Sequence, residues 1–239
     1  MSIKKNNHTS HLFFMKLALR QASRVLGNTK NNPAVGCVIT KNNNVISVGH
    51  TSVHGRPHAE VNAINFSKIN LKNSNIYTTL EPCSNYGLTK PCVNAIIKNK
   101  FKKVFFSLKD LDTRSFDKST NKFRKRNIKV VKNILNRESN FFYRSYNKFK
   151  TSKIPFVTCK LAISNDFYTI HKKTRWITNA FSRSRGHLIR SHHDCIITSS
   201  KTVIKDNPRL TCRIPGLINR TPARIILDSK LSIPINSRL

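Results

Sequence analysis

A chain of 239 residues has room for one large domain or two small ones, and a hydrophobic content of 38% is sufficient for a packed core. Lys and Arg number 44 against 10 Asp and Glu, a formal net charge of +34 that would ordinarily suggest nucleic acid. The basic residues run from Lys4 to Arg238 among many Asn and Ile without an RNA-binding motif, so no specific nucleic-acid partner is expected. No apolar run approaches the ~20 residues needed to span a membrane, and Lys16 interrupts the apolar stretch from Leu12 before it can act as a signal core. The cysteines form no secreted framework, since Cys37, Cys159, Cys195 and Cys212 are scattered among apolar runs. This usage fits a reducing cytoplasm.

In chain order, residues 34–39 and 45–50 read as two strands joined by an Asn-rich turn, because Asn tolerates the left-handed conformation that a tight hairpin requires. Pro57 is expected to open a helix, with His58 and Glu60 in its first turn, diverging by about 100° per residue around the axis. Residues 75–80 are β-branched and aromatic and read as a strand that ends just before Cys83. Cys92 precedes an apolar helical stretch over residues 93–98, which places its thiol at a helix N-terminus where the thiolate is favoured. Residues 103–108 read as a buried strand, and the charged stretch 110–126 as an irregular surface loop. Residues 127–134 suggest a last strand, and 138–150 a helix with Phe141, Phe142 and Phe149 inward, followed by a linker over 150–155. This alternation of strands and helices argues for a central sheet flanked by helices.

One imidazole and two thiolates leave the fourth tetrahedral position of Zn²⁺ open for water, whereas a structural site would be closed by a fourth side chain. His58, Cys83 and Cys92 supply such a set, and Glu60 is left to move protons. His-x-Glu followed by Pro-Cys and a second Cys is the zinc-deaminase signature, in which the base is attacked at an amino-bearing ring carbon.

The stretch from Thr79 to Cys92, with residues 84–91 between its two cysteines, closely resembles the bifunctional deaminase/reductase family of riboflavin biosynthesis. Residues 32–39 and 14–19 are similar to that family's upstream segments, and residues 176–178 and 202–213 to its reductase half. The resemblance implies a cytidine-deaminase-like α/β/α domain over 1–150, followed by a truncated dihydrofolate-reductase-like α/β domain over 151–239. It implies hydrolytic deamination of a diaminopyrimidinone ribosylamino phosphate, with His58, Cys83 and Cys92 on zinc, Glu60 as proton shuttle and Asn32 on the pyrimidine. Thr51 stands where the family often has His, Asn85 replaces another His, and Leu88 replaces a substrate-facing basic residue. Lys90 is expected to supply that charge from the same loop.

In the second half the resemblance places Trp176, Thr202, Asp206 and Ser229 against NADPH, and Thr174, Arg190, Leu210 and Arg213 near the substrate. The glycine-rich phosphate-binding segment of the family does not occur in the sequence, so NADPH is expected to bind poorly. The partners implied are a phosphorylated pyrimidine and a second copy of the chain. A full bifunctional activity would draw the rest of the reductase from a separate chain. Readings of another class, a nucleic-acid base deaminase or a zinc-bearing RNA-binding protein, take support from the charge. They are opposed by the long gap between the cysteines and by Glu60, which a structural site would not need.

Overall fold

The computed structural model describes residues 2–112, 117–169 and 176–239, with side chains from residue 9 onward. The chain divides into two compact units, residues 1–156 and 157–239.

The first unit is built on a five-stranded sheet of order β2-β1-β3-β4-β5. Strands β1 (Gly36–Lys41) and β2 (Asn44–His50) form the expected hairpin, and Asn42 and Asn43 at its turn both adopt positive φ. Strand β1 also pairs antiparallel with β3 (Asn75–Leu80), which runs parallel to β4 (Lys103–Leu108), and β4 runs parallel to the short β5 (Lys129–Val131). Side-chain alternation sorts the core into two layers. Cys37, Ile39, Ile76, Val104 and Phe106 face one layer with Ala59, Ala63, Val93, Ile96 and Phe123. Val38, Tyr77 and Phe105 face the other, against Phe14, Met15 and Ala18 of α1 (Ser2–Ser23). Helices α2 (Ala59–Phe66), α3 (Cys92–Lys98) and α4 (Lys118–Arg124) supply the first layer's helical residues. Two glycines set how closely the layers approach. A Cβ on Gly36 would lie 1.8 Å from the Ala18 carbonyl oxygen, and one on Gly49 2.4 Å from that of Ala59.

Several expectations are corrected here. Pro57 does not open α2: it follows Arg56 in a cis peptide, His58 is the extended N-cap, and the helix begins at Ala59. The stretch 110–126 is not all loop, because α4 buries Ser119, Thr120 and Phe123. A single apolar residue among charged ones leaves no helical periodicity to read. The helix expected over 138–150 is two helices, α5 (Asn136–Phe142) and α6 (Arg144–Ser152), which meet at Tyr143. That break turns Phe141 and Phe149 outward, 68% and 51% exposed, and sends Tyr143 into the core instead. The expected linker begins inside α6, which continues to Ser152.

The second unit carries α7 (Ala180–Arg190), then β6 (Cys195–Ser199), α8 (Ser200–Asp206) and β7 (Ala223–Leu227), with β6 and β7 parallel. Asn179 and Ser199 cap α7 and α8 by accepting the backbone N–H of Ser182 and Thr202.

Candidate active site

A cavity of the first unit, about 270 Å³, is lined by residues from the β1 entry loop, the α2 N-cap, the end of β3, the loop between the two cysteines, the segment after β4, and α6. Each wall has a local cause. Thr29 Oγ1 donates to the Asn32 carbonyl, and Asn32 also packs against Gly55, where a Cβ would lie 2.3 Å from Asn32 Nδ2. Gly55 is at φ +93°, a conformation that favours glycine. Thr51 Oγ1 accepts the Val35 N–H at 2.9 Å and lies 3.2 Å from the Pro33 carbonyl, so the residue in the family's His position fixes the loop carrying Asn32.

His58 comes from the N-cap of α2, Cys83 from just beyond β3 and Cys92 from the first turn of α3. Their candidate ligand atoms lie within 4.8 Å of one another. His58 Nδ1 is 3.5 Å from Cys83 Sγ and 3.3 Å from Cys92 Sγ. A tetrahedral ion with Zn–S near 2.3 Å and Zn–N near 2.0 Å sets sulfur and nitrogen about 3.5 Å apart, so the donor set fits zinc. The Cys92 N–H donates to Cys83 Sγ at 3.2 Å. A hydrogen bond from the Cys92 thiol, opposed by burial and aided by the imidazole, pulls Cys83 down to about 4, while that same bond and burial push Cys92 up. Zinc binds cysteine as thiolate, so loading this site releases the proton that the two sulfurs share.

Glu60, 3% exposed, lies in the first turn of α2 and lines the cavity with His58 and Cys83. Burial, and then the negative charge at Cys83, push its carboxyl up to about 7, the range in which one group can both accept and return a proton at neutral pH. Asn32, His58, Glu60 and Cys83 therefore share one cavity, as the motifs require. Lys90 does not: it is exposed and lies outside the lining, and Leu88 projects outward at 89% exposure. The basic residues of the wall are Arg56 and Lys150, and Asp110, Asp112 and Tyr146 join them. These were missed because residues 110–150 reach the site only through the fold; a basic residue two before the His was the one available local signal.

In the second unit, Thr202 and Ser229 follow the carboxyl ends of the parallel pair β6 and β7, whose last partners are Ser199 and Leu227. Asp206 lies a turn further along, at the end of α8. Arg190 Nη1 donates to the Thr211 carbonyl at 2.6 Å, which gathers Arg190 with the segment holding buried Leu210 and exposed Arg213. Trp176 lies under the Arg183 guanidinium, 4.7 Å from its ring centre. Thr174 lies outside the described residues.

The family model for the cytidine and deoxycytidylate deaminase zinc-binding region matches residues 8–108, so strands β1 to β4 and the His-Cys-Cys cluster belong to that class. The RibD C-terminal domain matches residues 155–239. Riboflavin biosynthesis protein RibD of Bacillus amyloliquefaciens is 35% identical over 224 residues, 93% of this chain and 60% of that protein. The crystal structure of the Thermotoga maritima diaminohydroxyphosphoribosylaminopyrimidine deaminase/5-amino-6-(5-phosphoribosylamino)uracil reductase matches with TM-score 0.87 at 33% identity, covering 94% of this chain and 64% of that one. Acinetobacter baumannii RibD matches with TM-score 0.85 at 30% identity, covering 97% and 67%. The chain belongs to the RibD family, with a cytidine-deaminase-like domain followed by the family's reductase-type α/β domain. It spans between 60% and 67% of the length of these relatives.

Proposed function

We propose that this chain is a zinc-dependent deaminase that hydrolyses 2,5-diamino-6-(5-phosphoribosylamino)pyrimidin-4(3H)-one in riboflavin biosynthesis. The observation that carries the reading is the convergence of His58 Nδ1 and the Cys83 and Cys92 sulfurs within 4.8 Å, beside buried Glu60 in one cavity. Zinc, when bound by these three, supplies a Lewis acid that lowers the pKa of a water to near neutrality. Glu60 accepts one proton of the attacking water and passes it to the ring nitrogen, then takes the proton of the newly formed C–OH group and delivers it to the amine, which leaves as ammonia while the carbonyl forms. Asn32 orients the pyrimidine. Glu60→Gln is expected to retain zinc and lose turnover by about 10²–10⁴-fold. A variant that keeps a tenth of wild-type activity would remove Glu60 from this role.

A second reading, reduction of 5-amino-6-(5-phosphoribosylamino)uracil with NADPH, is supported by the RibD C-terminal match and by Thr202 and Ser229 at the carboxyl ends of parallel strands, where open α/β sheets bind ligands. A separate chain completing the reductase belongs to this reading. Among the described residues, no helix is long and apolar enough to cross a membrane. The free cysteines, Cys159 and Cys195 exposed among them, support a reducing cytoplasm as the place of action.

A further inference from the structure

We infer that Arg56 is the phosphate-gripping residue of the deaminase cavity, in place of the loop positions Leu88 and Lys90. The inference rests on the reading above, in which the substrate carries the phosphoribosyl group named for the Thermotoga relative. A dianion must find a cation in a cavity whose walls carry Glu60, Glu81, Asp110 and Asp112. Among the described lining residues, only Arg56 and Lys150 carry a permanent positive charge, and Lys150 Nζ is held by Asp112 at 3.1 Å. Among the described residues Arg56 has no carboxylate partner. Its Nη1 donates to Thr89 Oγ1 at 2.6 Å, which seats the guanidinium in the cavity wall against the exposed stretch of residues 86–90.

The other atom near that nitrogen is His58 Nε2, 3.5 Å away. Among the described residues the hydrogen-bond contacts of Arg56 involve Nη1, which leaves the Nη2 and Nε side of the guanidinium fork for a ligand. A phosphate monoester suits that planar fork in bidentate fashion. Lys90 is outside the lining and Leu88 has no charge to offer.

The test uses the zinc-loaded full chain and two independent readouts. In the first, ribose 5-phosphate is titrated by ³¹P line broadening into wild type, Arg56→Met, Arg56→Lys and Lys90→Met. Arg56→Met is expected to weaken binding at least 10-fold, and Arg56→Lys to fall between it and wild type because the charge survives without the fork. In the second, deamination of the phosphorylated substrate is compared with that of its dephosphorylated counterpart. Arg56→Met should raise KM about 10-fold or more for the former, with kcat within about 3-fold, and leave the latter unchanged. Ribose 5-phosphate binding that is indistinguishable between wild type and Arg56→Met, a loss confined to Lys90→Met, or equal losses on both substrates would each overturn the assignment. If wild type deaminates neither substrate, the functional reading falls while the titration still decides the role of Arg56.

Discussion

Tyr143→Phe tests how the fold holds the cavity's entry loop. Tyr143 is 2% exposed, and its hydroxyl donates its one hydrogen to the Ala34 carbonyl at 2.9 Å. The 2.6 Å contact with Thr79 Oγ1 must therefore be donated by the threonine, whose oxygen in turn accepts the Gly36 N–H at 3.0 Å. The result is a directed chain from β1 through β3 to the α5–α6 junction and back to the residue that follows Asn32 and Pro33. Removing the hydroxyl deletes two buried hydrogen bonds and strands the Thr79 hydrogen. At about 1 kcal/mol per bond, plus a desolvation penalty of roughly 1–2 kcal/mol for the stranded group, the loss is about 3 kcal/mol. For a unit of this size, with roughly 2–4 °C per kcal/mol, the first unit's calorimetric transition should drop by about 6–12 °C. A double-mutant cycle with Thr79→Val should show coupling of about 1 kcal/mol or more. The variant's kcat/KM should also fall roughly 10-fold, because the loop carrying Asn32 is released. Additive single losses, or a transition lowered by less than about 1 °C, would refute the chain of hydrogen bonds.

Other consequences are testable with similar means. Gly49→Ala forces α2 off the sheet, since the new Cβ would lie 2.4 Å from the Ala59 carbonyl and 2.5 Å from the Ala63 nitrogen; a stability loss of roughly 3 kcal/mol and weaker zinc retention in competition with a chelator are expected. Lys109 and Lys132, at 2.6 and 2.8 Å, hold the Asp117 carboxyl below its usual range. That contribution is present above the unfolded-state value near 4 and is lost as pH falls through the lower folded value, so Asp117→Asn should be less stable than wild type at neutral pH and converge with it in acid. Asn accepts the left-handed φ of 54° at this position, which keeps the comparison clean, and added salt should shrink the gap in urea unfolding curves. Chelation of zinc should abolish ammonia release and lower the first unit's transition, with recovery that depends on the zinc concentration restored.

The parts of this molecule legible from its residues were those written in short range. The hairpin was fixed by Asn42 and Asn43, which take positive φ, and the parallel strands by apolar runs whose alternate residues now face opposite layers. The metal cluster was legible because its three residues each sit at an element boundary that local sequence marks. What was hidden depended on contacts distant in the chain. Phe141 and Phe149 read as core residues under a single helical period, and the break at Tyr143 reverses them because its hydroxyl is claimed by Thr79 and Ala34. Helix α4 has one buried aromatic, Phe123, and a Ser119 that is satisfied by Glu81, neither of which leaves a periodic signal. Arg56 and Lys150 share a cavity although 94 positions separate them (150 less 56), and no spacing rule joins them. Lys90 was chosen for its charge and its place on the loop, and the loop presents it to solvent.

The most direct test of the central claim is ammonia release by the zinc-loaded chain from 2,5-diamino-6-(5-phosphoribosylamino)pyrimidin-4(3H)-one, with the product spectrum and NADPH absorbance followed together. Ammonia in proportion to the pyrimidinedione formed, whether or not NADPH is present, and its loss in Glu60→Gln with zinc retained, are the predicted results. Zinc-loaded, folded protein that releases no ammonia from this substrate, or Glu60→Gln that releases it at a wild-type rate, would contradict the account.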